Sequence, residues 1–144
     1  MVVASEAVRA LDEKVRARTF QLMRETLAGV TSTYGATYEL QNIEGGAVTV
    51  NDPALAEEMM PALKRAVGEA NFVRLQPEMG AEDFSYFAEQ VPGLYFRLGV
   101  SNAKKGIVGA IHTPTFDADE DSLVVGVRTM ATLVTDYLER HAGR

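Results

Sequence analysis

Residues 79–100 read MGAEDFSYFAEQVPGLYFRLGV, and residues 111–138 read IHTPTFDADEDSLVVGVRTMATLVTDYL. The first stretch opens on a glycine and an acid pair, Glu82 and Asp83, then shows a short helix pattern over 82–90 that Pro92 and Gly93 break. Residues 94–100 (LYFRLGV) are a nearly continuous apolar run of strand length, the pattern of a sheet interior covered on both faces. The second stretch is a loop stiffened by Pro114, followed by a helix that starts near Asp119 to Asp121. Acids in that first turn suit the positive end of the helix dipole. Leu123, Val127, Met130, Val134, Tyr137 and Leu138 then predict one buried helical face. A buried strand followed by an amphipathic helix points to an α/β fold.

The pattern extends toward the amino terminus. Asn51-Asp52-Pro53 is a helix start, a capping side chain followed by proline at the first helical position. Leu55, Met59, Ala62, Leu63 and Val67 give that helix its core face, Gly68 can end it, and 72–75 is a short strand candidate. Before it, residues 2–10 read as a strand and Asp12 caps a helix with Val15, Thr19, Leu22, Met23, Leu27 and Val30 on one side. Gly35 fits a left-handed position after that helix, and 36–43 reads as a strand stopped by Gly45 and Gly46. The best boundary falls between Gly46 and Asn51, giving a strand–helix–strand unit over 1–50 and a second unit over 51–144.

At 144 residues the chain holds one ordinary domain or pieces of two. With 47% hydrophobic and 24% charged residues it reads as globular. A net charge of −6 and the lack of a basic stripe argue against a nucleic-acid partner. There is no cysteine, which excludes disulfides and thiolate metal sites and makes the cytoplasm the default compartment. The start lacks the basic and apolar regions of a signal peptide, and no run approaches the roughly 18 apolar residues of a membrane helix.

Two histidines are present. His141, in the last helical turn, reads as a solvated residue. His112 sits between Ile111 and Thr113-Pro114, and Asp117, Asp119, Glu120 and Asp121 follow it. Imidazole is the commonest protein ligand for zinc-like ions and wants an acceptor for its other nitrogen. By spacing alone, a structural or surface role for His112 is still the plainer reading, and the carboxylates can equally cap the last helix. Glu82 and Asp83 can likewise serve only as caps for the short helix. No phosphate loop, nucleophile elbow or helical His-Glu-x-x-His is present.

In order, the segments from Met79 to Val100 and from Ile111 to Leu138 resemble the closing segments of the aminoacylase, hippurate-hydrolase and indoleacetyl-amino-acid hydrolase family. Asn51-Asp52-Pro53 resembles that family's return from an inserted lid domain. The resemblance implies an α/β lid, often used for dimer contact, whose second half is 1–50, and the last part of a mixed-sheet catalytic domain over 51–144. It implies hydrolysis of the amide of an N-acyl amino acid with divalent zinc, manganese or cobalt. It makes His112 a metal ligand and puts Glu82 at the active-site wall, as a substrate contact or a hydrogen-bond partner behind the ligands. The family's other ligands and its general-base glutamate lie in amino-terminal segments that nothing here matches. The expectation is therefore a fragment, inactive alone, that pairs with a missing amino-terminal part or forms a homodimer. The alternative is a stand-alone, non-catalytic domain for dimerisation or small-ligand binding.

Overall fold

The computed structural model describes residues 3–43 and 45–143, and holds four α-helices: α1 (Glu13–Thr33), α2 (Pro53–Val67), α3 (Phe84–Ala88) and α4 (Asp121–His141). The chain divides into two compact units. One comprises Met1–Val50 with Leu75–Gly93, the other Asn51–Arg74 with Leu94–Arg144.

Among the described residues no strands pair into a sheet, and a single β-bridge joins Asn102 to Ile107. The helices of the expected α/β order are thus present, while the runs expected as strands (2–10, 36–43, 72–75 and 94–100) carry no ladder; Val2 lies outside the described residues. A strand is stabilised by cross-strand pairs and by its hydrogen-bonded neighbour, and these runs meet no such neighbour among the described residues.

In the first unit, the Asp12 carboxylate accepts from the Lys14 and Val15 amides at 2.7 and 3.0 Å, starting α1 as a cap should. Tyr34 closes the helix and Gly35 follows at φ +61, the left-handed position that glycine adopts freely. No residue of α1 is buried, so the stripe from Val15 to Val30 is not a core. Long-range polar bonds tie the helix instead: Arg16 donates to the Gly46 carbonyl at 2.8 Å, and the Val48 amide donates to Glu13 at 3.0 Å.

The second unit has the hydrophobic core. Asp52 caps α2 by accepting from the Leu55 amide at 2.8 Å, with Pro53 at the start, and Gly68 ends the helix at φ +84. The apolar positions of α2 meet α4: Met59, Ala62, Leu63 and Leu133 are buried together, with Leu55, Phe72, Leu94 and Phe96 packed around them. Burying a side chain such as Leu63 or Met59 contributes about 1.5–3 kcal/mol. Asn51 pins the apolar run to α2, donating to the Tyr95 carbonyl at 2.8 Å and accepting from its amide at 2.6 Å.

Two expectations for this unit need correction. The face of α4 that meets α2 is not the stripe of Leu123, Val127, Met130, Val134, Tyr137 and Leu138, whose members are all exposed. The inward face is small: Ser122, Gly126, Thr129 and Leu133 follow one another at helical spacing, and Ser122, Thr129 and Leu133 are buried. A methyl group on Gly126 would stand 3.0 Å from Leu98 Cδ2, so the lack of a side chain there lets the apolar run lie close. Thr129 satisfies its own hydroxyl on the Val125 carbonyl at 2.7 Å, which removes the cost of burying it. His141, read as solvated, is half-buried: it bonds Glu58 of α2 at 3.0 Å and stacks on Tyr137 with ring centroids 4.4 Å apart.

Candidate functional site

The loop between the apolar run and α4 carries His112. Its base is built on Asn102. The backbone of Asn102 exchanges two hydrogen bonds with Ile107, at 2.8 and 2.9 Å, across a turn closed by Gly106 at φ +79. Its side-chain oxygen accepts from the Lys104 amide at 3.1 Å, while its Nδ2 donates to Asp119 at 2.6 Å. One residue therefore holds both the entry and the exit of the loop.

Asp119 is buried and fully engaged. It accepts from Asn102 and from Lys105 Nζ, both at 2.6 Å, its own amide donates to the Val100 carbonyl at 2.8 Å, and Lys105 reaches Asp121 at 2.7 Å as well. The hydrogen bond from Lys105, then that from Asn102, holds the Asp119 carboxyl below the usual aspartate range, outweighing its desolvation. The same bonds from Asp119 and Asp121 push the Lys105 ammonium up. Both Asp119 carboxylate oxygens and the Lys105 ammonium are answered by partners in this clasp.

His112 is exposed at the far end of the loop, and among the described residues it is the non-glycine residue with positive φ, at +63°. L side chains rarely adopt that conformation, and where they do the surroundings hold them there. Thr113 Oγ1 donates to the Ala110 carbonyl at 2.7 Å and the Phe116 amide to the Thr113 carbonyl at 3.1 Å.

Glu82 belongs to the other unit. It is half-buried, and one carboxylate oxygen accepts from the Phe84 amide at 3.3 Å while its carbonyl accepts from the Ser85 amide at 3.0 Å. These bonds place Glu82 at the start of α3, whose N-cap position is Asp83. Beside it Ser85 is fully buried, and its hydroxyl lies where a side chain on Gly46 would meet it at 3.2 Å.

His112 and Glu82 thus sit in separate units. Among the described residues no group of three or more histidine, cysteine, aspartate or glutamate side chains could hold a metal ion. The donors among the described residues do not by themselves fit a metal centre. No described helix is long and apolar enough to cross a membrane.

Asn102 and Lys105 hold the base of this loop, and their signal in the sequence is the Asn-x-x-x-Gly spacing of 102–106, a turn with its own cap.

His112 thus lies on a loop ahead of α4, whose first turn carries Asp121, and Glu82 lies beside α3 in the other unit. The comparison with known proteins gives the family: the model of peptidase family M20/M25/M40 matches residues 3–136, and the chain belongs to that family. Among its relatives, a thermostable carboxypeptidase of Saccharolobus solfataricus is 37% identical over 131 residues, covering 90% of this chain and 33% of the relative. An IAA-amino acid hydrolase of Arabidopsis thaliana is 34% identical over 96 residues, 67% of this chain and 22% of the relative. An N-acetyldiaminopimelate deacetylase of Lactococcus lactis is 30% identical over 124 residues, 85% and 31% respectively. The chain spans about a third of the length of the first of these. No solved structure matches it.

Proposed function

We propose that this chain is the carboxy-terminal portion of a metal-dependent amidohydrolase that cleaves the amide bond of N-acyl amino acids, hippurate-like or acetylated. The observation that carries the reading is the family match over residues 3–136, which includes the loop holding His112 exposed in an unusual backbone conformation. The names of two relatives, an amino acid hydrolase and an N-acetyl deacetylase, support the substrate class.

In this reading His112 is one ligand of a divalent ion, zinc, manganese or cobalt, and the rest of the ligand set and the general base come from outside this chain. Glu82 lines the active-site wall as a substrate contact or as a hydrogen-bond partner behind the ligands. Residues 1–50 are the second half of an α/β lid that makes a homodimer contact, and 51–144 close a mixed-sheet catalytic domain in a cytoplasmic enzyme. The exposed apolar stripe of α4 supports this view, because a face of that kind calls for a covering layer.

The test is the reading frame upstream of the Met1 codon. A His-x-Asp segment and further acidic ligands encoded there would uphold the proposal, and an upstream region coding for none of them would sink it. The α4 stripe also favours a second reading, a stand-alone domain that dimerises or binds a small ligand. Light scattering separates the two: a sharp, cooperatively melting dimer supports the stand-alone domain, and polydisperse association supports the severed one.

A further inference from the structure

We infer that Gly109 is a positioning residue for His112: it permits the one tight return of loop 107–119 that keeps the histidine backbone left-handed. The inference rests on the reading above for what His112 does once presented, and on the loop alone for how it is presented.

The backbone at His112 is strained. His112 stands at φ +63, where a β-carbon crowds the following carbonyl, and nothing at 112 itself relieves this. Such a conformation persists when the surroundings over-determine it. Two of the constraints are the hydrogen bonds Thr113 Oγ1 to Ala110 and Phe116 N to Thr113, which fold the segment after the histidine back on the segment before it. The third is a close backbone approach. A methyl group on Gly109 would fall far inside van der Waals contact distance of the Thr115 carbonyl oxygen and stand 2.9 Å from the Phe116 amide nitrogen. Both are backbone atoms, so no change of rotamer could make room. At the base, Asn102 holds Ile107 with its backbone and Asp119 with its side chain, so the loop cannot widen from its ends.

With the ends held and the middle in contact, the chain between 109 and 115 has little freedom, and His112 takes up the turn. Any side chain at 109 must open the return, and opening it removes the reason for the positive φ at 112. Gly99 is the natural control: a methyl there meets nothing within 4 Å, and its φ is not positive.

The experiment is NMR on the complete protein that carries this chain, selectively labelled at histidine, glycine, phenylalanine and leucine, as wild type, Gly109→Ala and Gly99→Ala. The readout is the one-bond Cα–Hα coupling of His112 together with its intraresidue amide-to-Hα NOE, which separate positive from negative φ. The positive-φ signature is expected in wild type and Gly99→Ala and lost in Gly109→Ala, while the resonances of Leu63 and Leu133 hold their positions. A negative φ in the wild type, or a positive one retained in Gly109→Ala, would overturn the inference. Should Gly109→Ala give no folded spectrum, the wild-type NOE between Gly109 Hα and the Phe116 amide decides: its presence upholds the close approach and its absence removes it. None of these readouts uses metal or substrate. A hydrolase reading that fails therefore leaves them unchanged, and their failure leaves the hydrolase reading to its own test.

Discussion

Helices α2 and α4 both carry a clear apolar stripe, yet only α2 buries it. Met59, Ala62 and Leu63 of α2 lie in the core, whereas Leu123, Val127, Met130, Val134 and Leu138 of α4 are 51–72% exposed. In the core Leu133 of α4 joins Met59, Ala62 and Leu63 of α2, Gly126 faces Leu98, and Ser122 and Thr129 are the other buried residues of α4. Periodicity reports which side of a helix would gain from burial; it does not say which neighbour is at hand. In α4 a small-residue face permits close approach of α2 and the 94–100 run, and the larger apolar face is left over.

The strongest way to break this contrast is by truncation. Leu63→Ala or Leu133→Ala should each lose about 2–5 kcal/mol of stability in urea unfolding, because each empties a buried site. Leu123→Ala and Val127→Ala should change it by no more than about 0.5 kcal/mol. Equal effects on the two faces would mean that α4 is rotated relative to this structure.

Crowding sharpens the same point. Gly126→Val should cost about 1–3 kcal/mol, since its side chain would run into Leu98, which a methyl group alone approaches to 3.0 Å. Little or no loss would show that the apolar run does not lie against α4.

A smaller effect is expected at the caps. Asp52→Ala should cost about 0.5–2 kcal/mol through the lost bond to the Leu55 amide. Asp12→Ala removes two such bonds, but from a helix with no buried residue, so its readout is helicity by circular dichroism rather than the cooperative transition.

The weakest expected signal is the pH dependence of the clasp at the base of the His112 loop. Asp119 has a lowered pKa, so its contribution is present above the ordinary aspartate value of 3.8 and is lost as pH falls through the depressed value. Lys105 has a raised pKa, so its contribution is present below 10.5 and is lost only as pH rises through the raised value. The clasp is thus intact across neutral pH. Asp119→Asn should flatten the acid limb of the stability–pH curve; an unchanged acid limb would mean that Asp119 is not paired in solution.

The parts that were legible in the sequence are local. Asp12, Asp52-Pro53, Gly35 and Gly68 mark helix ends because capping and left-handed backbone are decided within a few residues. The core face of α2 follows from its own periodicity. His112 could be picked out as a candidate because proline and carboxylates follow it. What could not be read depends on residues far apart in sequence: Asn102 and Lys105 on Asp119, Gly109 beneath Thr115, and His141 on Glu58.

The proposed function stands or falls with His112. The measurement is bound divalent metal and hydrolysis of N-benzoylglycine by the complete protein that carries this chain, as wild type and as His112→Ala. The substitution is expected to lose one equivalent of metal and to lower the rate by orders of magnitude. Wild-type metal content and rate in His112→Ala would contradict it.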